Sequence, residues 1–325
     1  MLGTVTRAAV MAAGLLILAS AHTETFAASD RNCTAAEKKR ADKRLDQIGG
    51  DSTLRNKLIR WHLRFGTHQT VHPADSEEIL VQGGYVMNHD KALRTSLWAA
   101  YRLTAKNMID AEGKQRVNCF RQDPRRGSFY TAVPSDYDEP RYDQGHMAND
   151  ADMKYDLIEQ LNTYVMSNMS PQECRFNRGI WLSLEHLERA WASEYDTLYI
   201  TSGAIFDRNN DNARDSDADT LHMKSRNGKT RVSVPSHYYK VFVRRDGSGF
   251  RSIAFLLDHT NKKHGVAWDQ VRPDVEATIT SIADIEKKAG VHLHPRLDRA
   301  SLTESRSGED WDFSLGKSNL ESGCH

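Results

Sequence analysis

His146 stands in the tetrapeptide Asp143-Gln144-Gly145-His146. A neutral imidazole can take a proton from water near neutral pH, provided a neighbour orients the ring. Asp143 is the acid close at hand, and Gly145 lets another part of the chain approach the backbone closely. A lone histidine in a strand is more often structural, so the tetrapeptide needs a second half. That half is SNMSPQECRFNRGIWLSLEHLERAW, residues 167–191. On a helical wheel of about 100° per residue starting at Asn177, Ile180, Leu184, Leu187 and Trp191 form an apolar stripe. Asn177, Trp181, Glu185, Glu188 and Arg189 fall on its shoulder. The bland reading is a solvated face with an i,i+4 Glu185–Arg189 pair, contributing about 0.2–0.5 kcal/mol. It leaves unexplained an asparagine at the helix start followed by Gly179. The neutral oxygen of Asn177 suits a hard divalent ion that keeps most of its water, as Mg²⁺ does.

The elements that must position these groups read as α+β. Residues 34–62 are two polar helices broken at Gly49-Gly50. From residue 78 the texture changes to a Gly-Gly turn and alternating segments typical of hairpins. Helical patterns cover 155–166, 178–193 and 272–289, and residues 197–206, 234–245 and 249–259 read as buried strands. Strands and helices interleave without a regular βαβ rhythm, which favours a central mixed or antiparallel sheet flanked by helices. The tail after residue 296 is polar and is expected to lie over the surface, tied by Cys324.

The gross numbers set the frame. The chain has 325 residues, 39% of them hydrophobic and 27% charged, enough for a sizeable core. Lys+Arg and Asp+Glu balance at 44 each, so a polyanionic partner needs a local cluster of cations. Residues 1–28 run from Arg7 through an apolar stretch to small residues, the order of a signal peptide. The apolar run is short of the about 20 residues a membrane span needs. The expected organisation is a signal peptide over 1–28, a helical extension over 29–77 and one domain over 78–325. The mature protein is then exported, periplasmic or secreted, with no membrane segment. Four cysteines remain, Cys33, Cys119, Cys174 and Cys324, and an even number in an oxidising compartment favours two disulfides. Their spacing is not that of a zinc ribbon.

Together these motifs resemble the DNA/RNA non-specific endonuclease family, to which mitochondrial endonuclease G belongs. The family's usual form is Asp-Arg-Gly-His, then Ser-Asn-x-x-Pro-Gln, then Asn-x-x-x-Trp-x-x-Leu-Glu. This sequence has Asp143, Gly145 and His146; Ser167, Asn168, Pro171 and Gln172; and Asn177, Trp181, Leu184 and Glu185. Residues 101–104, 116–125 and 234–241 resemble further segments of the family, so the likeness spans roughly 80–295. The resemblance implies a ββα-metal finger and hydrolysis of DNA and RNA that leaves 5′-phosphate ends. It implies His146 as general base and Asn177 as the direct ligand of one Mg²⁺, for which Mn²⁺ can substitute. Glu185 would hold a metal-bound water, Arg189 and Arg116 would clamp the phosphate, and Asn168 and Gln172 would brace the finger. DNA and RNA are the implied partners, with a homodimer among the implied assemblies.

Gln144 departs from the motif, which has arginine there. Losing that cation could cost on the order of 1.5–3 kcal/mol of phosphate binding. Arg141, Arg125 and Arg126 are the neighbouring candidates to replace it. The alternative reading is a nucleic-acid-binding relative with weak or lost catalysis; a small-molecule phosphodiesterase would use the same residues. Cys119 and Cys174 flank the two halves of the site, so a bond between them would brace it and leave Cys33–Cys324, though the other pairings stay open. Residues 207–219 alternate oxygens at Asp207, Asn209, Asp211, Asp215, Asp217 and Asp219, a pattern that could hold a structural Ca²⁺. Against it, Asn212 and Ala218 stand where an EF-hand has glycine and glutamate, and a solvated acidic loop is the default. The His292-Leu293-His294 triplet reads as packing after a helix rather than as metal ligation.

Overall fold

A computed structural model describes residues 30–127, 131–223, 231–317 and Cys324. The expected signal peptide, residues 1–28, lies outside the described residues. The first two helices are α1 (Ala35–Gly50) and α2 (Ser52–His62). Thr34 caps α1 by accepting from the Glu37 N–H, and the Glu37 carboxylate reaches back to the Thr34 N–H. Asp51 ends α1 and caps α2 through the Leu54 N–H, so the break falls one residue after Gly49-Gly50.

Three strands follow, β1 (Glu77–Val81), β2 (Val86–Asp90) and β3 (Thr95–Thr104), then a short helix α3 (Ala105–Ala111). The finger begins with β4 (Tyr142–His146), passes through helix α4 (Leu157–Thr163) and returns in β5 (Met169–Glu173). Helix α5 (Leu182–Glu194) completes it and leads into β6 (Thr197–Ile205). A long hairpin, β7 (His237–Asp246) and β8 (Gly249–Asp258), precedes α6 (Trp268–Glu276), β9 (Ile279–Thr280), α7 (Ile282–Ala289) and β10 (Leu302–Glu304). The helical pattern over 272–289 is thus two helices. Between them β9 pairs with β8, which takes Ile279 and Thr280 out of any helix.

The central sheet has the order β9-β8-β7-β6-β3-β2-β1, antiparallel along that path. β10 pairs parallel with the outer edge of β8, which makes the sheet mixed. Side chains alternate across it. Trp98, Ala100, Tyr239, Val241 and Val243 turn to one face, where they meet Leu63, Phe65, Ile282, Ile285 and Leu293. Tyr101, Leu103, Tyr238, Phe242, Ile253 and Phe255 turn to the other, where they meet Trp181, Leu184, Leu187 and Trp191 from the α5 side. Each fully buried aliphatic side chain in these layers contributes about 1.5–3 kcal/mol.

Two expectations are corrected here. The polar tail does not simply lie over the surface: Trp311 and Phe313 enter the core beside Trp191, at ring separations of 4.8 and 5.4 Å. The disulfides are Cys33–Cys119 and Cys174–Cys324, rather than Cys119–Cys174 and Cys33–Cys324. Backbone pairing explains the first bond. Arg31 and Asn32 run parallel to Val117 and Asn118 in that register, so the next residue on each strand is a cysteine, with Cα atoms 5.3 Å apart. No sequence spacing encodes that register.

Among the described residues, no helix is long and apolar enough to cross a membrane.

Candidate active site

β4 and β5 pair so that His146 faces Met169 and Asp143 faces Gln172. Gly145 is required by the close approach of Gln172, because a Cβ at position 145 would lie 2.2 Å from the Gln172 Oε1. Asn168 staples the base of the hairpin: its Nδ2 donates to the Ala148 and Thr163 carbonyls, and its Oδ1 accepts from the Ala148 N–H, all within 3.0 Å. Asn168 therefore braces the finger. Beyond β5 the chain makes a wide π-type turn, Phe176–Trp181, before α5. Gly179 adopts φ −110° and ψ −110° there, which breaks the helical run ahead of α5. Such turns interrupt the regular ladder and present a side chain the helix would otherwise hold in line. Here the side chain is Asn177.

His146, Glu185, Arg189, Arg116, Asp143, Gln144 and Asn177 all line one cleft of about 740 Å³. They come from four separate segments of the chain. The His146 ring lies edge-on to Tyr164, with centroids 4.9 Å apart, and is 8% exposed. Its Nε2 is sealed without a partner, which leaves Nδ1 as the nitrogen in contact with the cleft. Burial lowers the imidazole pKa to about 4; nearby Asp150 works the other way and Arg116 adds to the lowering. The ring is neutral at pH 7 and can accept a proton.

Asp143 does not orient this ring, contrary to the expectation from its place in the tetrapeptide. Its Oδ2 accepts from Asn177 Nδ2 at 2.9 Å and from Arg178 Nε at 2.8 Å, and its Oδ1 accepts from Arg178 Nη2 at 2.8 Å. The acid beside the imidazole is Asp150. Tyr164 donates to Asp150 at 2.9 Å, and Arg116 donates to the Tyr164 hydroxyl at 2.8 Å and pairs with Asp150 at 3.2 Å. Burial opposes ionisation of Asp150, but Arg116, His146 and the Tyr164 bond together hold its pKa below the usual carboxylate range.

Glu185 is 8% exposed and accepts no hydrogen bond from the described residues. Burial pushes its pKa up to about 7, while Lys240 and Arg189 pull it down. Arg189 bonds Asp152 at 3.2 Å rather than Glu185, so the i,i+4 pair of the bland reading is absent. Below the cleft, Lys240 donates to Glu188 at 2.7 Å and to Ser202 at 3.1 Å, both side chains of the ion pair being fully buried. Trp181 and Glu188 are buried as well, so the shoulder of the wheel faces the interior rather than water.

The donor set can be tested against a hydrated Mg²⁺. A carboxylate only accepts, so the Asn177 amide must turn its nitrogen to Asp143, and its oxygen is the atom left for a cation. The unbonded carboxylate of Glu185 lies in the same cleft, suited to hold water on such an ion. Among the described residues no three of His, Cys, Asp and Glu gather to hold a metal, but an ion held by one amide oxygen needs no such cluster. The residues fit the group.

The acidic loop does not fit Ca²⁺. Asp207 accepts from the Asp211 and Asn212 N–H groups, and the Lys288 ammonium sits 2.9 Å from it. Asn209 donates to Asp211, Asp215 accepts from the Arg208 N–H, Asp217 pairs with Arg231, and Asp219 accepts from Ser216. The alternating oxygens build turns, and a lysine occupies the place of a cation. Of the triplet 292–294, Leu293 and His294 are buried, His294 edge-on to His68 at 4.7 Å, whereas His292 is exposed.

A family model described as DNA/RNA non-specific endonuclease matches residues 66–300. The chain belongs to this family. Among its relatives, Nuclease C1 of Cunninghamella echinulata var. echinulata is 27% identical over 71% of this chain and 88% of its own length. Human mitochondrial endonuclease G is 25% identical over 66% of this chain and 68% of its own. In fold, a chain from a crystal structure of the EndoG/EndoGI complex superposes with a TM-score of 0.57 at 22% identity, covering 76% of this chain and 95% of that one. The α+β class with a central mixed sheet and a ββα-metal finger holds.

The non-specific endonuclease motif has arginine where this chain has Gln144, and the three candidate replacements are elsewhere. Arg125 bonds Asp123 and the Val81 carbonyl, Arg126 pairs with Glu78, and Arg141 donates to Glu173 at 2.6 Å; none lines the cleft. The cleft residues that sequence reasoning missed are Arg178, Asp150, Tyr164 behind the imidazole, and Lys154. Arg178 had a signal, since it follows Asn177 directly. Asp150 and Tyr164 had none, because only the folded chain brings Tyr164, the residue after α4, against the imidazole and onto Asp150.

Proposed function

We propose that this protein is an exported, Mg²⁺-dependent endonuclease that hydrolyses phosphodiester bonds in both DNA and RNA and leaves 5′-phosphate ends. The observation that carries the reading is the convergence in one cleft of a neutral histidine, an amide oxygen and an unbonded buried carboxylate, flanked by arginines. Membership of the nuclease family supports the reaction class, and two disulfides support an oxidising compartment.

His146 takes a proton from the attacking water at Nδ1, and the Tyr164 ring fixes its plane. Asn177 would hold the metal through Oδ1, and Glu185 would orient water on it. When bound, Mg²⁺ would polarise the phosphoryl oxygen and ease departure of the 3′-oxygen. Arg116 and Arg189 bring fixed positive charge to the charge that builds on phosphorus, each aimed by a carboxylate behind it, Asp150 and Asp152. Because contacts of this kind read the backbone and not the bases, the protein has little base preference and a strong salt dependence.

The test is cleavage of plasmid DNA and of RNA by the purified protein lacking residues 1–28, with Mg²⁺ or with EDTA. The expected result is degradation of both with Mg²⁺, none with EDTA, and loss in His146→Ala. Binding of both polynucleotides without cleavage would favour the reading as a nucleic-acid-binding relative. Cleavage by His146→Ala at the wild-type rate removes the assigned base.

A further inference from the structure

Arg178 lies on the cleft wall with Gln144, its side chain 39% exposed. Its guanidinium lies side-on to Asp143, through Nε and Nη2, with both contacts at 2.8 Å. Two parallel bonds fix the plane of the group as well as its position. Asp143 Oδ2 also holds the Asn177 amide, so one carboxylate anchors both the amide and the guanidinium. The other two arginines of the cleft lean on different carboxylates, Asp150 and Asp152. Gln144 sits on the strand next to Asp143 and is neutral. Both residues line one cleft, so an arginine at position 144 would bring a second guanidinium to the cleft that Arg178 already lines.

We propose that Arg178 is the cation that contacts the scissile phosphate in place of the motif arginine, carried on the turn before α5 and aimed by Asp143, with Gln144 as its neutral counterpart. The positive charge has moved from the hairpin to the turn, where it shares Asp143 with Asn177. This inference rests on the nuclease reading above for its substrate, a phosphodiester.

The experiment is a swap. Arg178→Gln, Gln144→Arg and the double variant Gln144→Arg/Arg178→Gln are compared with wild type and His146→Ala for kcat/KM on plasmid DNA with Mg²⁺. In parallel, duplex binding is measured against salt in EDTA. Losing one charged contact to phosphate lowers kcat/KM by about 10- to 100-fold in Arg178→Gln. It also reduces the slope of log Kd against log salt by about 0.9. The double variant regains both to within about fivefold of wild type, which a merely misfolded Arg178→Gln could not predict. Wild-type kcat/KM and slope in Arg178→Gln, or a double variant as poor as that single one, overturns the proposal. A wild type that binds but does not cut refutes the nuclease reading by itself; the slopes in EDTA then still decide whether Arg178 meets phosphate.

Discussion

The two faces of the central sheet are made by alternate residues of the same strands, yet they differ in kind. On one, Val241, Val243, Ile282 and Ile285 pack as a plain apolar layer with α7. On the other, Lys240 comes from the same strand as Val241 and lies fully buried against Glu188, one turn from Glu185. Asp152, Arg189 and the Tyr101 hydroxyl, which donates to Asp152 at 2.6 Å, complete this polar layer under the cleft; burial, and Glu188 after it, raise the Asp152 pKa. The first face stabilises the fold by removing apolar surface from water. The second buries ionised groups that cost solvation, and it is the face that carries the site. Moving one residue along β7 therefore moves from stability to chemistry.

Substitutions can break that division, and the largest effect is expected at His146. His146→Ala should lower kcat by about 10²- to 10⁴-fold, with the melting temperature kept or raised, since the ring is buried with a sealed nitrogen. A loss of folding in step with activity would show the ring to be structural. Next is Lys240→Met, which strands Glu188 and should destabilise by about 3–5 kcal/mol in chemical denaturation. Lys240→Met/Glu188→Leu should recover most of that, because the penalty lies in the unpaired charge; no recovery would mean that packing, and not charge, is the cause. On the apolar face, Ile285→Ala should cost about 2–4 kcal/mol and leave kcat unchanged. A fall in kcat there would show that the two faces are coupled.

The smallest effect sharpens the contrast. Glu185 has its folded pKa raised by burial from its ordinary value of 4.5 to about 7. Its contribution to stability is therefore fully present below about 4.5 and is lost as pH rises through 7. In EDTA at pH 8, Glu185→Gln should be more stable than wild type by on the order of 2–3 kcal/mol, and the advantage should vanish at pH 4. Equal melting temperatures at pH 8 would place this carboxylate in water.

What the chain reveals before folding follows from how local each feature is. His146 with its glycine, and Asn177 with Trp181 and Glu185, are legible because each set lies within a few residues on one element. The sheet class is legible from the alternating segments after residue 78 and the apolar runs over 234–245 and 249–259. The polar layer is not, because Lys240 reads as a break in an apolar strand until β7 lies beneath α5. Asp143 misled for the same reason: three residues from His146 in sequence, it bonds Asn177 and Arg178 on the turn before α5 rather than the imidazole. The disulfides follow a register between residues 31–32 and 117–118 that only the folded backbone defines.

Those two disulfides also give the covalent chain a simple shape. Cys33–Cys119 closes one ring and Cys174–Cys324 closes a second, and the rings do not overlap. Residues 120–173 are the bridge between them. A protease that cuts once inside either ring opens a loop but leaves the molecule in one piece. A cut in the bridge parts it in two. Asn177, Glu185 and Arg189 ride on the second ring and Arg116 on the first, while His146 stands on the bridge with Asp150 and Tyr164 beside it. In protease-rich surroundings the stretch that joins the two rings is the one that carries the proposed base, so a cut that parts the rings and the loss of the proposed activity fall on the same segment.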